Sequence, residues 1–107
     1  MLQIELPLDE IAALCRKWRI IELAVFGSAI RDDFRPDSDV DFLVTFEDGA
    51  PWSLWDFVII IDELKIITRR DVDFVEKGAI KNPFRRKSIL SDYEVIFDAI
   101  ENRARAC

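Results

Sequence analysis

Apolar side chains return at Leu8, Ile11, Ala12, Cys15 and Trp18, while Asp9, Glu10, Arg16 and Lys17 fall on other faces. That spacing winds one apolar stripe down an α-helix. The period then shortens. Ile20 to Phe26 and Val40 to Phe46 are runs of β-branched, aliphatic and aromatic residues, the first closed by Gly27-Ser28 and the second by Glu47-Asp48-Gly49. Both read as core strands. Helical spacing resumes over Leu54 to Thr68, behind Ser53 and Asp56, whose separation is that of a capping box. This segment is apolar around most of its circumference and therefore needs two apolar neighbours. One is the sheet, and the other is either further core or a partner chain.

Between the first two strands, Ser28 is placed to cap a short helix over Ala29 to Asp33, and Arg35-Pro36-Asp37-Ser38 has the residues of a turn. Asp71 to Val75 alternates polar and apolar residues as a third strand, stopped by Lys77-Gly78. Asn82-Pro83 supplies a cap and a first-turn proline, and Ser91 with Glu94 repeats the capping-box spacing ahead of Val95, Phe97 and Ile100. The pattern thus predicts a helical end and little strand after residue 75. The predicted order is α-β-α-β-α-β-α: an α+β fold, a small mixed sheet with helices packed on it in two layers.

A chain of 107 residues, half of them apolar, has material for one core, so residues 1–107 are expected to form a single domain. The net charge of -6 argues against a broad nucleic-acid-binding face, and no direct contact with nucleic acid is expected. Histidine is absent from the sequence, which excludes a Ser-His-Asp triad, a histidine general base and a His-ligated zinc within the chain. Cys15 and Cys107 have neither the number nor the spacing of a disulfide framework and read as reduced thiols. No basic stretch leads into an apolar run, and no apolar run approaches the roughly 20 residues that span a bilayer. A cytoplasmic location away from membranes is the expectation.

Chemistry concentrates between Ala24 and Phe46. Gly27-Ser28 stands at a strand-to-helix junction, where free backbone N–H groups can hold a phosphate. Asp39 and Asp41 are two apart at the mouth of a strand, so the pleat points both carboxylates to one face and Val40 to the other. At separations of about 5 Å and an effective dielectric of about 20, two such charges repel by on the order of 3 kcal/mol before screening. A divalent cation reverses that sign, and oxygen-only ligands favour magnesium or manganese over zinc. Asp71 and Asp73 repeat the spacing at the next strand. If the two strands are neighbours, Asp73 completes a triad with Asp39 and Asp41, Asp71 lying nearer the loop.

Gly27-Ser28, then Asp39-x-Asp41, then a strand carrying Asp73, resembles the nucleotidyltransferase superfamily of DNA polymerase β type, and in particular its minimal nucleotidyltransferase (MNT) branch. Arg31 fits the same pattern, since relatives often carry Gly-Ser-x-x-Arg at this point; Asp32 departs from it where many relatives have a small residue. The resemblance implies a two-metal nucleotidyl transfer, with Asp39, Asp41 and Asp73 as catalytic residues and ligands of Mg2+ (or Mn2+), and Gly27, Ser28 and Arg31 binding the nucleotide. Stand-alone MNT proteins are typically paired with a HEPN-domain ribonuclease toxin. The resemblance therefore implies an antitoxin that transfers AMP from ATP to a tyrosine of that partner. The alternatives are an antitoxin that acts by binding alone and a nucleotidyltransferase acting on a small molecule such as an aminoglycoside. The docking candidates are Trp52, Trp55, Ile59 and Ile66 of the apolar helix. The basic segment Lys81, Arg85, Arg86 and Lys87 is a further docking candidate, with contact to the nucleotide or plain solvation as the alternatives, and most of its charges read as solvated.

Overall fold

The structure, a computed structural model, describes residues 5–30, 38–99 and 103–104. The chain runs α1 (Leu8–Lys17), β1 (Ile20–Phe26), a 3-10 turn (Gly27–Ile30), β2 (Val40–Phe46), α2 (Leu54–Thr68) and β3 (Val72–Glu76). A second 3-10 turn (Lys77–Ala79), α3 (Pro83–Leu90), β4 (Tyr93–Asp98) and β5 (Arg103–Ala104) follow. The strands form one mixed sheet in the order β3-β2-β1-β4-β5. β1 pairs antiparallel with both β2 and β4, whereas β2 and β3 run parallel, joined by α2. A parallel neighbour requires such a crossover, because a tight hairpin can only return the chain antiparallel.

Pleating sorts the strand side chains between two cores. Leu23, Val25, Val40, Phe42 and Val44 are buried with Ile11, Leu14 and Cys15 of α1 and Ile60 and Leu64 of α2. Their alternates Ala24, Phe26 and Leu43 form a smaller cluster with Ile80 and Ile89, the latter from α3. The sheet therefore carries its main core on the α1/α2 face, and on the other face α3 covers only part of the strands.

β1, β2 and α2 stand where the sequence pattern puts them, and β3 is displaced by one residue. The Ser53 N–H donates to Asp56 Oδ2 at 2.8 Å, which confirms the cap of α2, and Asn82 Oδ1 accepts from the N–H groups of Phe84 and Arg85 at 2.9 and 3.1 Å, which confirms the cap of α3. The helical end is overturned: Tyr93–Asp98 is a strand, paired along β1 from Glu22↔Asp98 to Phe26↔Tyr93. Ser91 lies at the end of α3 and Glu94 inside β4, so their three-residue spacing caps nothing. The antiparallel edge of β1 offers a full ladder of backbone partners to a segment rich in Tyr, Val, Ile and Phe, and those side chains suit a sheet. The expected helix from Ala29 to Asp33 is, in its described part, a 3-10 turn that already starts at Gly27. Residues 31–33, the turn at 35–37, Ile100 and Cys107 lie outside the described residues.

Only one side of α2 is covered. Ile60 and Leu64 are buried, whereas Trp55 and Ile66 keep 78% and 76% of their surface exposed, with Leu54, Val58 and Ile59 also outward. Trp52 is not part of that outward face, contrary to expectation. Its indole N–H donates to the Trp18 carbonyl at 2.7 Å and its ring meets that of Trp18 edge-on at 5.2 Å. It joins the loop before α2 to the end of α1.

Cys15 is a free thiol, fully buried, and burial pushes its pKa up to about 12 from an ordinary value near 9.0. The unfolded chain loses this proton near pH 9 while the folded chain retains it, so the folded state is disfavoured as pH rises through that interval. Stability should fall by about 1.4 kcal/mol per pH unit above pH 9 from this group. Denaturant melts of the parent and Cys15→Ala between pH 8 and 10.5 check this: the difference between the two should shrink as pH rises.

Candidate active site

Where β1 ends, Gly27 adopts a φ of 73° and turns the chain out of the sheet. Left-handed backbone of this kind costs a residue with a Cβ about 1–2 kcal/mol. A second constraint falls on the same atom. A Cβ at Gly27 would collide with Asp41 Oδ2, because Asp41 lies opposite Phe26 in the β1/β2 ladder and its carboxylate reaches over the glycine. Gly27→Ala should thus lower stability by about 1–3 kcal/mol and also displace the Asp41 carboxylate. Nucleotide titration of the refolded variant should show affinity reduced at least tenfold; parental affinity would deny Gly27 any close approach to phosphate.

Asp41 and Asp73 are register partners on the parallel pair β2/β3. Leu43 and Val75, two residues on in each strand, belong to the cluster on the α3 face, so both aspartates project to that face. Asp39 precedes β2 by one residue, is exposed, and borders neither of the hollows described next. Asp71 is just outside β3, where its carbonyl accepts the Val40 N–H at 2.9 Å. Its backbone secures the β2/β3 junction, and the Asp71 and Asp73 side chains are both exposed.

Among the described residues, one hollow opens on this face and another at the β3 edge, where it also reaches Phe57 of α2. One, of about 360 Å³, is lined by Gly27 and Asp41 from the sheet and by Arg85, Ser88, Ile89 and Asp92 from α3 and its end. The other, of about 410 Å³, contains Asp73, Glu76, Lys81 and again Arg85. Each is of a size that takes a small ligand. Asp41 therefore borders one hollow and Asp73 the other. Among the described residues no three carboxylate or thiol side chains are gathered closely enough to hold a metal ion. The expected convergence is met by the backbone register and not by the side-chain positions, since the Asp41 carboxylate is turned over Gly27. The donor chemistry nevertheless suits magnesium: carboxylates on adjacent strands, no histidine in the chain, and the described thiol buried on the opposite face.

Ser28 lies in the 3-10 turn directly after Gly27. Arg31 is outside the described residues. Arg85, one of four basic residues that the sequence leaves open between partner, nucleotide and solvent, borders both hollows. The signal that finds it is the Asn82-Pro83 cap, which fixes where α3 starts, but only the folding of α3 against the sheet brings the side chain to the aspartates.

A fold with a Gly-Ser turn closing one strand and paired aspartates on the next two defines the class of protein. The chain belongs to the nucleotidyltransferase domain family, whose model matches residues 11–96. It is similar to a candidate protein adenylyltransferase of Methanocaldococcus jannaschii, MJ0128, at 38% identity over 74% of this chain and 79% of the relative. The protein adenylyltransferase MntA of Thermococcus cleftensis is 38% identical over 64% of this chain and 68% of the relative. A solved complex of a tri-AMPylated Shewanella oneidensis HEPN toxin with its MNT antitoxin shares the fold at a TM-score of 0.62, with 15% identity over 89% of this chain and 72% of that one. A solved structure described as a minimal nucleotidyltransferase is 30% identical over 80% of this chain and 85% of that one, at a TM-score of 0.65, so the MNT assignment and the mixed nucleotidyltransferase sheet expected from the sequence stand. Among the described residues no helix is long and apolar enough to cross a membrane.

Proposed function

We propose that this chain is the antitoxin of a HEPN/MNT pair and that it transfers AMP from ATP to a tyrosine of a HEPN-domain toxin, releasing pyrophosphate. The observation that carries the reading is the register of Asp41 against Asp73 on the α3 face, beside a glycine turn that admits no Cβ. The kinship with protein adenylyltransferases supports AMP as the group moved, and the shared fold with an MNT antitoxin supports the partner.

Gly27 and Ser28 bind the outer phosphates through backbone N–H groups, with the Ser28 hydroxyl and Arg31 as further donors. Asp73 accepts the proton of the acceptor tyrosine as its oxygen bonds to the α-phosphorus. The bond from that phosphorus to the oxygen bridging to the β-phosphate breaks, and the electron pair leaves with pyrophosphate. Asp39 and Asp41, with Asp73, would hold magnesium, which when bound supplies positive charge against the charge developing on the phosphates. No histidine is needed, because catalysis of this kind rests on positioning and charge. The outward face of α2, with Trp55, Ile59 and Ile66, is the docking candidate for the toxin.

The test is incubation of the purified chain with α-labelled ATP, magnesium, the HEPN partner and, separately, an aminoglycoside. Label on the HEPN protein is the expected result. A tight complex without label would point to neutralisation by binding alone, and label on the aminoglycoside to a small-molecule enzyme.

A further inference from the structure

Among the described residues, Arg85 alone is common to the hollow beside Asp41 and Gly27 and the hollow beside Asp73. Its backbone N–H is tied to the Asn82 cap, which fixes its place on the first turns of α3. Among the described residues its guanidinium makes no ion pair or hydrogen bond, whereas the neighbouring Arg86 is committed to the Lys77 carbonyl at 3.0 Å. In a chain of net charge -6, an uncommitted cation held between two carboxylate-bearing hollows is placed for an anion that enters both. A guanidinium offers a fork of N–H donors suited to phosphate oxygens, and it stays charged at any working pH.

Resting on the reading of the site as an ATP site, we propose that Arg85 binds the β- and γ-phosphates of the nucleotide and steadies the pyrophosphate as it leaves. The bond that breaks leaves one further negative charge on the departing pyrophosphate, at the oxygen that bridged to the α-phosphorus. Gly27 supplies only neutral N–H donors to it, and Asp39, Asp41 and Asp73 add further negative charge nearby. Arg85 is the cation that α3 brings to that position. Lys87 lies on the same helix, is exposed, and borders neither hollow, so it serves as a control for net charge.

The experiment measures ATP affinity by calorimetry in the presence of magnesium, and the inhibition constant of pyrophosphate, for the parent, Arg85→Ala, Arg85→Lys and Lys87→Ala, with thermal melts of each. The expected result for Arg85→Ala is a loss of about tenfold or more in both ATP and pyrophosphate binding at an unchanged melting temperature. Arg85→Lys should recover part of the loss and Lys87→Ala should match the parent. Parental affinities in Arg85→Ala, or equal losses in Arg85→Ala and Lys87→Ala, would overturn the assignment. A parent that binds ATP in an Arg85-dependent way but leaves the HEPN protein unlabelled would remove the proposed function and leave this inference standing. A parent that does not bind ATP would overturn both.

Discussion

Asp41→Asn should abolish AMP transfer, by roughly a thousandfold or more, while the protein stays folded. The loss follows from the site's charge: a metal-assisted phosphoryl site gains several kcal/mol from its cation, and each 1.4 kcal/mol withdrawn is a factor of ten in rate. Asparagine keeps the shape of the side chain and removes the charge that would hold the cation. Asp41 sits half-buried at the mouth of β2, level with Asp73 in the register, and asparagine fills the same space. The melting temperature should therefore stay within about 4 °C of the parent, the shift that accompanies roughly 1 kcal/mol in a domain of this size. Asp39→Asn should behave alike. Single-turnover transfer rates and thermal melts, compared side by side, check both halves, and transfer at the parental rate in the double variant would remove the carboxylates from the mechanism.

Phe42→Ala should do the reverse, with its first effect on folding. Phe42 follows Asp41 in β2, faces the opposite side of the sheet, and is fully buried in the cluster that α1 and α2 close. Truncating a buried phenylalanine to alanine costs about 3–5 kcal/mol. That is a large share of the about 5–15 kcal/mol that holds a typical domain together. The melting temperature should fall by more than about 12 °C. Any variant still folded at low temperature should keep most of its ATP affinity, because the β2/β3 register that places Asp41 and Asp73 is set by backbone bonds. Two adjacent residues would then separate cleanly, one by loss of chemistry and the other by loss of packing. Urea denaturation and ATP titration at 10 °C measure the two effects.

The adjacency of Asp41 and Phe42 also explains how much of the molecule was legible beforehand. Period-two alternation is a local property, so β1, β2 and the facing of Asp39 and Asp41 could be read directly, as could α2 from its periodicity and its Ser53/Asp56 cap. The pairing of β2 with β3 is not local; it depended on the supposition that the strands were neighbours. β4 was lost because Ser91 and Glu94 have the spacing of a helix start, and nothing nearby in sequence reveals that β1 has a free edge waiting. The run Tyr93, Val95, Ile96 and Phe97 held the contrary signal, since such residues favour strands. Arg85 could not be singled out from its basic neighbours for the same kind of reason. Its position on α3 could be read, but α3 reaches the aspartates only by folding onto the sheet, through Ile89.

The most direct measurement is the intact and peptide mass of the HEPN partner after incubation with the chain, ATP and magnesium. The expected result is a shift by whole AMP units, mapped to tyrosine and absent with Asp41→Asn. An unmodified partner recovered in tight complex with the wild-type chain would contradict it.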